Sequence, residues 1–171
     1  MRGAFRLLAV LVAVLVAGCA GRSSVAGEPV LRTGPPPWPA PRDGLAQLQA
    51  AGLEPSRLDD TTNQRRFTLR LTVDGAGVPL VPYIGMDRPR ALQGPAHTHD
   101  DSGVVWLEGR GATDVTLGQF FVLWGVRFDR SCLGAACGTI TVRADGKAVA
   151  EPAALRLAQV ADRLEVTVRS R

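Results

Sequence analysis

Apolar and polar residues alternate with a period of two in three stretches of this chain. Phe67, Leu69, Leu71 and Val73 alternate with Thr68, Arg70 and Thr72; Thr139-Ile140-Thr141-Val142-Arg143 repeats the pattern; Leu164, Val166 and Val168 close the series. Side chains of a strand point to opposite faces in turn, so each stretch predicts a half-buried strand. Asp74-Gly75 and Asp145-Gly146 follow the first two, and both pairs suit a two-residue hairpin turn that needs positive φ. Val78 to Ile84 is expected to return as the second arm of the first hairpin, with Pro79 and Pro82 confining it to an edge. Gly85 to Ala96, with Pro89, Gly94 and Pro95, reads as loop, and Val104 to Leu107 as a short strand. The period changes at Leu117, Phe120, Phe121 and Trp124, which share one helical face. Thr116 is placed to cap this helix and Gly125 to stop it. A second, brief helix is expected after Asp43, with Leu45 and Leu48 on one face, Gly52 at C′ and an end by Leu53. These elements predict an α+β fold. Its small mixed or antiparallel sheet of 4–5 strands packs on one central helix, in a β-grasp-like arrangement. No internal repeat is visible.

The amino terminus follows a different rule. Arg2 and Arg6 precede an unbroken apolar run from Leu7 to Ala17. That run is shorter than the roughly 20 residues a membrane-spanning helix needs, and its length suits the apolar region of an export signal. It ends in Leu15-Val16-Ala17-Gly18-Cys19, which resembles the lipobox of bacterial lipoproteins. The resemblance implies cleavage before Cys19, a diacylglyceryl group on its thiol, and anchoring to the outer side of a membrane, since two acyl chains hold stably where one does not. Residues 1–18 are then a signal peptide. Residues 19–43 are read as anchor and linker, because Pro29, Pro35, Pro36, Pro37, Pro39 and Pro41 favour an extended polyproline spacer. Residues 44–171 are expected to form one globular domain.

Cleavage changes the charge. It removes Arg2 and Arg6 from the 20 basic residues and none of the 16 acidic ones, so the formal +4 falls by two. Arginines are scattered, and no basic run is interleaved with aromatic residues, so nucleic acid is not expected as a partner. With Cys19 assigned to the anchor, Cys132 and Cys137 remain as a pair in an oxidising compartment. Four residues separate them, and a disulfide closing so short a loop contributes about 2 kcal/mol in the chain-entropy model. Metal ligation or redox exchange is the other reading, although redox pairs are usually spaced more tightly.

Both histidines lie in His97-Thr98-His99-Asp100-Asp101. In an extended backbone His97 and His99 point the same way, so both imidazoles could reach one Cu or Zn ion, with Asp100 or Asp101 adding oxygen. Met86, or Cys132 or Cys137 if reduced, could serve as a further ligand. A likeness to the His-x-His-x-Asp-His opening of metallo-β-lactamase-like sites fails at its last position, where Ser102 stands. The structural alternative is that the two histidines hydrogen-bond within a loop and order it.

His97 to Glu108, followed by Thr116-Leu117-Gly118-Gln119-Phe120-Phe121 and Trp124-Gly125-Val126, resembles a set of uncharacterised exported bacterial proteins. Their pattern joins an HTHD-x-SG block to a TLG-x-FF-x-x-WG block, and the likeness runs over about residues 50–168. It implies no activity. Relatives carry histidines where this chain has Arg66, Thr68 and Trp106. No nucleophile–base pair, phosphate loop or paired acid is recognisable, so an enzyme is not expected. Two readings stand: a membrane-anchored, extracytoplasmic binding domain holding Cu or Zn, and a metal-free structural or protein-interaction lipoprotein.

Overall fold

The computed structural model describes Gly27 and residues 29–171. In chain order these residues form helix α1 (Gly44–Ala50), strands β1 (Ser56–Arg57), β2 (Arg65–Val73), β3 (Ala76–Val78), β4 (Met86–Asp87), β5 (Leu92–Gln93), β6 (Ala96–His97) and β7 (Val104–Leu107), helix α2 (Leu117–Trp124), and strands β8 (Cys132–Leu133), β9 (Ala136–Ala144), β10 (Lys147–Ala148) and β11 (Arg163–Ser170). The fold is α+β and richer in sheet than the expected four or five strands. An eight-stranded mixed sheet runs β10-β9-β11-β2-β7-β6, with β3 also on β2 and β8 also on β9. A separate three-stranded sheet is ordered β1-β5-β4, inside and before the segment read as loop.

The alternating stretches become the three long central strands. Phe67, Leu69 and Leu71 of β2, Val142 of β9, and Leu164, Val166 and Val168 of β11 are all buried. β2 and β11 are parallel, in register from Thr68 opposite Arg163 to Val73 opposite Val168. The other edge of β2 is shared: β7 pairs with residues 65–68 and β3 with residues 71–73. The Gly103 carbonyl accepts the Leu69 amide between them. The expected return strand from Val78 to Ile84 stops at Val78, because Pro79 has no amide to continue the ladder.

Both predicted turns form with φ > 0 at each central residue: Asp74 and Gly75, Asp145 and Gly146. Asp145 also reaches outside its turn. Its carboxylate accepts the backbone amides of Ala161, Asp162 and Arg163, fixing the entry to β11. Those amides, Arg163 first, hold its pKa below the ordinary carboxylate value. A depressed folded pKa contributes stability that is present above the unfolded value near 3.8 and lost as pH falls through the folded one. Asp145→Asn, which tolerates the positive φ, is therefore expected to unfold at a lower temperature than the parent at pH 7, with the gap narrowing as pH falls below 4. A gap that widens in acid would contradict this placement.

α2 is built as the sequence predicts. Thr116 caps it, with a capping box in which the Gln119 side chain returns to the Thr116 amide, and Gly125 ends it at φ 68°. α1 is capped by Asp43, with Gly52 at φ 65° beyond it. Two amide side chains lock the helices together. Gln119 donates to the Ala51 carbonyl at the end of α1, and buried Gln47 donates to the Val122 carbonyl at the end of α2.

The expected linker differs most. Residues 30–42 lie on the domain rather than standing off it. Arg32 bridges Val126 in parallel fashion, and its backbone exchanges hydrogen bonds with Gly125 and Arg127. Trp38 is 2% exposed, set edge-on to Trp124 at 5.7 Å, and its carbonyl accepts the Trp124 indole N–H at 2.9 Å. A large apolar side chain amid prolines gains more by burial than the segment gains by remaining extended in water. Cys19 and the apolar leader lie outside the described residues. Among those described, no helix is long and apolar enough to cross a membrane.

Candidate metal centre

Three elements build the site. β6 pairs with β7 so that His97 stands opposite Trp106, and Trp106 in turn stands opposite Arg66 of β2. Directly opposed residues project to one face, so His97 lies on the outer side of the sheet. Thr98 turns the other way. Its hydroxyl donates to the Val81 carbonyl at 2.7 Å and accepts the Ile84 amide at 3.0 Å. The small middle residue of His-x-His is thus a buried peg, and the alternation returns His99 to the side of His97. Gly85 permits this packing: a Cβ there would stand 2.3 Å from the Ala96 carbonyl oxygen.

His97, His99 and Glu108 each place one ligand atom so that all three lie within 4.8 Å of one another. His97 and Glu108 are buried, and His99 is exposed at the rim. The His97 Nδ1 lies 3.0 Å from the Gly94 carbonyl oxygen. A carbonyl only accepts, so Nδ1 carries the proton; in its neutral form His97 then presents a lone pair at Nε2, and in its protonated form an N–H toward Glu108. Among the described residues Nε2 has no hydrogen-bond partner, and it lies 3.3 Å from the Glu108 Oε2. Burial, the largest influence, holds the His97 pKa below its usual 6.5, against opposing pulls from the Gly94 carbonyl and Glu108. With His97 neutral, two acceptors face each other in a buried space, an arrangement that a proton or a metal cation between them relieves.

The distances suit such a cation. Tetrahedral Zn with ligand bonds near 2.0–2.1 Å sets neighbouring ligand atoms about 3.3 Å apart. The His97–Glu108 pair already has that separation, and the exposed His99 can swing inward. Neighbouring hydrogen bonds fix two ligands: the Gly94 carbonyl orients His97, and the Gln64 side-chain amide donates to the Glu108 Oε1. His99 also stands edge-on to Trp106, with ring centroids 5.4 Å apart, and the Arg66 guanidinium covers that indole at 5.3 Å.

Of the residues named from sequence, His97 and His99 are brought together, and Asp100 and Asp101 are not part of the group. The chain bends after Thr98, and Asp100 commits its Oδ1 to the Ser102 amide and hydroxyl, which lower its pKa. Asp101 is exposed. Cys132 and Cys137 are joined in a disulfide, with Cα atoms 4.1 Å apart, directly opposed across the β8–β9 hairpin. They are not available as ligands, and Met86 lies on β4 in the separate small sheet. The acid that joins the histidines is Glu108, which sequence reasoning passed over. Its signal was present: Trp106 and Glu108 are two apart at the end of one strand, and the hairpin folds that strand back onto the histidines. Comparison with protein-family models, curated proteins and solved structures found no match for this chain.

Proposed function

We propose that this protein is a membrane-anchored, extracytoplasmic lipoprotein whose domain binds one divalent transition-metal ion, Zn²⁺ or Cu²⁺, through His97, His99 and Glu108. The observation that carries the metal reading is the buried His97 Nε2, an unpartnered lone pair 3.3 Å from a buried carboxylate oxygen. Two imidazoles and one carboxylate form a donor set suited to Zn²⁺, and Cu²⁺ competes well for the same nitrogens. Three protein ligands leave a position for water or a partner's group. The role proposed is binding rather than catalysis, since the sequence offers no nucleophile–base pair beside the group. Anchoring rests on the basic leader and the Leu15–Cys19 motif.

The test uses the full chain, because a domain started at residue 44 would lack Trp38. Purified without chelator, or titrated with Zn²⁺ and Cu²⁺ in a calorimeter, it is expected to hold one equivalent of metal with micromolar or tighter affinity. Absence of saturable binding to either ion returns the site to a metal-free hairpin brace, the reading favoured by the His97–Gly94 hydrogen bond.

A further inference from the structure

Among the described residues, the outer face of β2, β11 and β9 is left open to solvent, and its chemistry is uneven. β2 turns Arg66, Thr68, Arg70 and Thr72 outward; β11 turns out Arg163, Glu165, Thr167 and Arg169; β9 turns out Thr139, Thr141 and Arg143. The registers arrange them in rows. Arg70, Glu165 and Arg143 form one, and Thr72, Thr167 and Thr141 the next. Five arginines thus face solvent against one glutamate. Among the described residues, none of the five has a carboxylate within 4.0 Å, although Arg57, Arg90, Arg127 and Arg156 elsewhere all do. Arg143 leans on the Gly146 carbonyl, and Arg66 on Trp106. Between the two rows lies a depression of about 300 Å³, lined only by Arg70, Thr72, Thr141, Arg143, Glu165 and Thr167.

We infer that this face binds an acidic polysaccharide, a chain of carboxylate-bearing sugars lying along the strands. Guanidinium forks match carboxylates in planar, bidentate fashion, and unpaired ones are ready to do so. The threonine row supplies hydroxyls that both donate and accept, as sugar hydroxyls require. At roughly 3.3 Å per residue, the eight residues of β11 give a track about 26 Å long, enough for several sugar rings. Trp106 at one end carries the Arg66 guanidinium over its ring, which holds that charge at the end of the track. Single-stranded nucleic acid fits less well, since it needs several stacking aromatics and this face offers one. A bilayer surface fits less well too, because membrane-seeking faces carry a broad apolar stripe where these strands carry threonines. Nothing in this face requires the metal.

The test titrates the full chain in nonionic detergent with polygalacturonate oligomers, neutral dextran, a single-stranded oligothymidylate, and mixed micelles containing phosphatidylglycerol. Saturable, salt-sensitive binding to polygalacturonate is expected, at least tenfold tighter than to any other probe at equal charge. The double variant Arg70→Gln, Arg143→Gln is expected to weaken it at least tenfold with an unchanged circular dichroism spectrum. Arg163→Gln serves as a second probe if the double variant folds poorly. Failure to bind polygalacturonate, equal binding to the oligothymidylate or the anionic micelles, or indifference to these substitutions would overturn the inference.

Discussion

Replacing Trp124 by alanine is expected to destabilise the protein by about 4 kcal/mol, the range for emptying a large aromatic site in a packed core. The side chain is 0% exposed. It stacks on Phe121 at 12° and 6.1 Å, meets Phe120 at 6.4 Å and Trp38 at 5.7 Å, and so joins α2 to the amino-terminal segment. Its N–H is also the donor to the Trp38 carbonyl. Alanine therefore leaves a void and an unpaired carbonyl, and the segment from Arg32 to Trp38 loses its seat. For a chain of this size, the midpoint of thermal unfolding should fall by about 12–15 °C. Trp124→Phe separates the two contributions: it keeps most of the contact area, removes the hydrogen bond, and should lose about 1–2 kcal/mol. An alanine variant that melts within a few degrees of the parent would show that the amino-terminal segment does not pack as described.

Glu108→Gln is expected to act in opposite directions on stability and on metal binding. In the metal-free chain with His97 neutral, the Glu108 carboxylate faces the His97 lone pair at 3.3 Å, and neither atom can donate. A glutamine amide can donate to Nε2 while its oxygen still accepts from Gln64. It turns an orphaned acceptor into a hydrogen-bonded one and removes a buried charge, so the apo protein should gain about 1 kcal/mol. The same change removes an anionic ligand, and the affinity for Zn²⁺ or Cu²⁺ should fall by more than about 100-fold, beyond the usual loss when only a residue that orients a ligand is changed. His97→Ala should lose the metal as well, without the compensating gain, since it empties a buried site and leaves the Gly94 carbonyl without its donor. Thermal unfolding with and without metal reads both effects. A Glu108→Gln variant less stable than the parent in chelator would mean that Glu108 and His97 already share a proton, and that no cation is needed between them.

Legibility in the sequence followed the length of each element. α2 could be read to the residue because its signals are local: a hydroxyl at the N-cap, glutamine three positions on, a glycine free to take positive φ, and four large apolar residues on one face. β2, β9 and β11 were legible because alternation over five or more residues suits a half-buried strand and little else. Strands of two residues, such as β4, β5 and β6, have no period to detect. They exist because tertiary neighbours supply the partner backbone; β4 and β5 were hidden inside what read as loop, and β6 begins at its last residue. In the candidate site, the His-x-His geometry followed from strand alternation, but the third ligand did not. Asp100 and Asp101 are adjacent in sequence, yet the chain turns immediately after Thr98. Glu108 is reached only across the hairpin. Trp38 shows the converse error: proline content suggested an extended spacer, while one large side chain decided where the segment lies.

The last strand among the described residues is an inner one. β11 lies between β9 and β2, and its pairing with β2 joins residues 95 apart at every position from Arg163 opposite Thr68 onward. Until β11 is in place, the edges of β9 and β2 that it joins stay open. Those edges are the kind that recruit other chains, and the long loop between them closes slowly. Loss of the carboxyl-terminal strand by premature termination or nicking would therefore split the sheet down its middle instead of trimming its border.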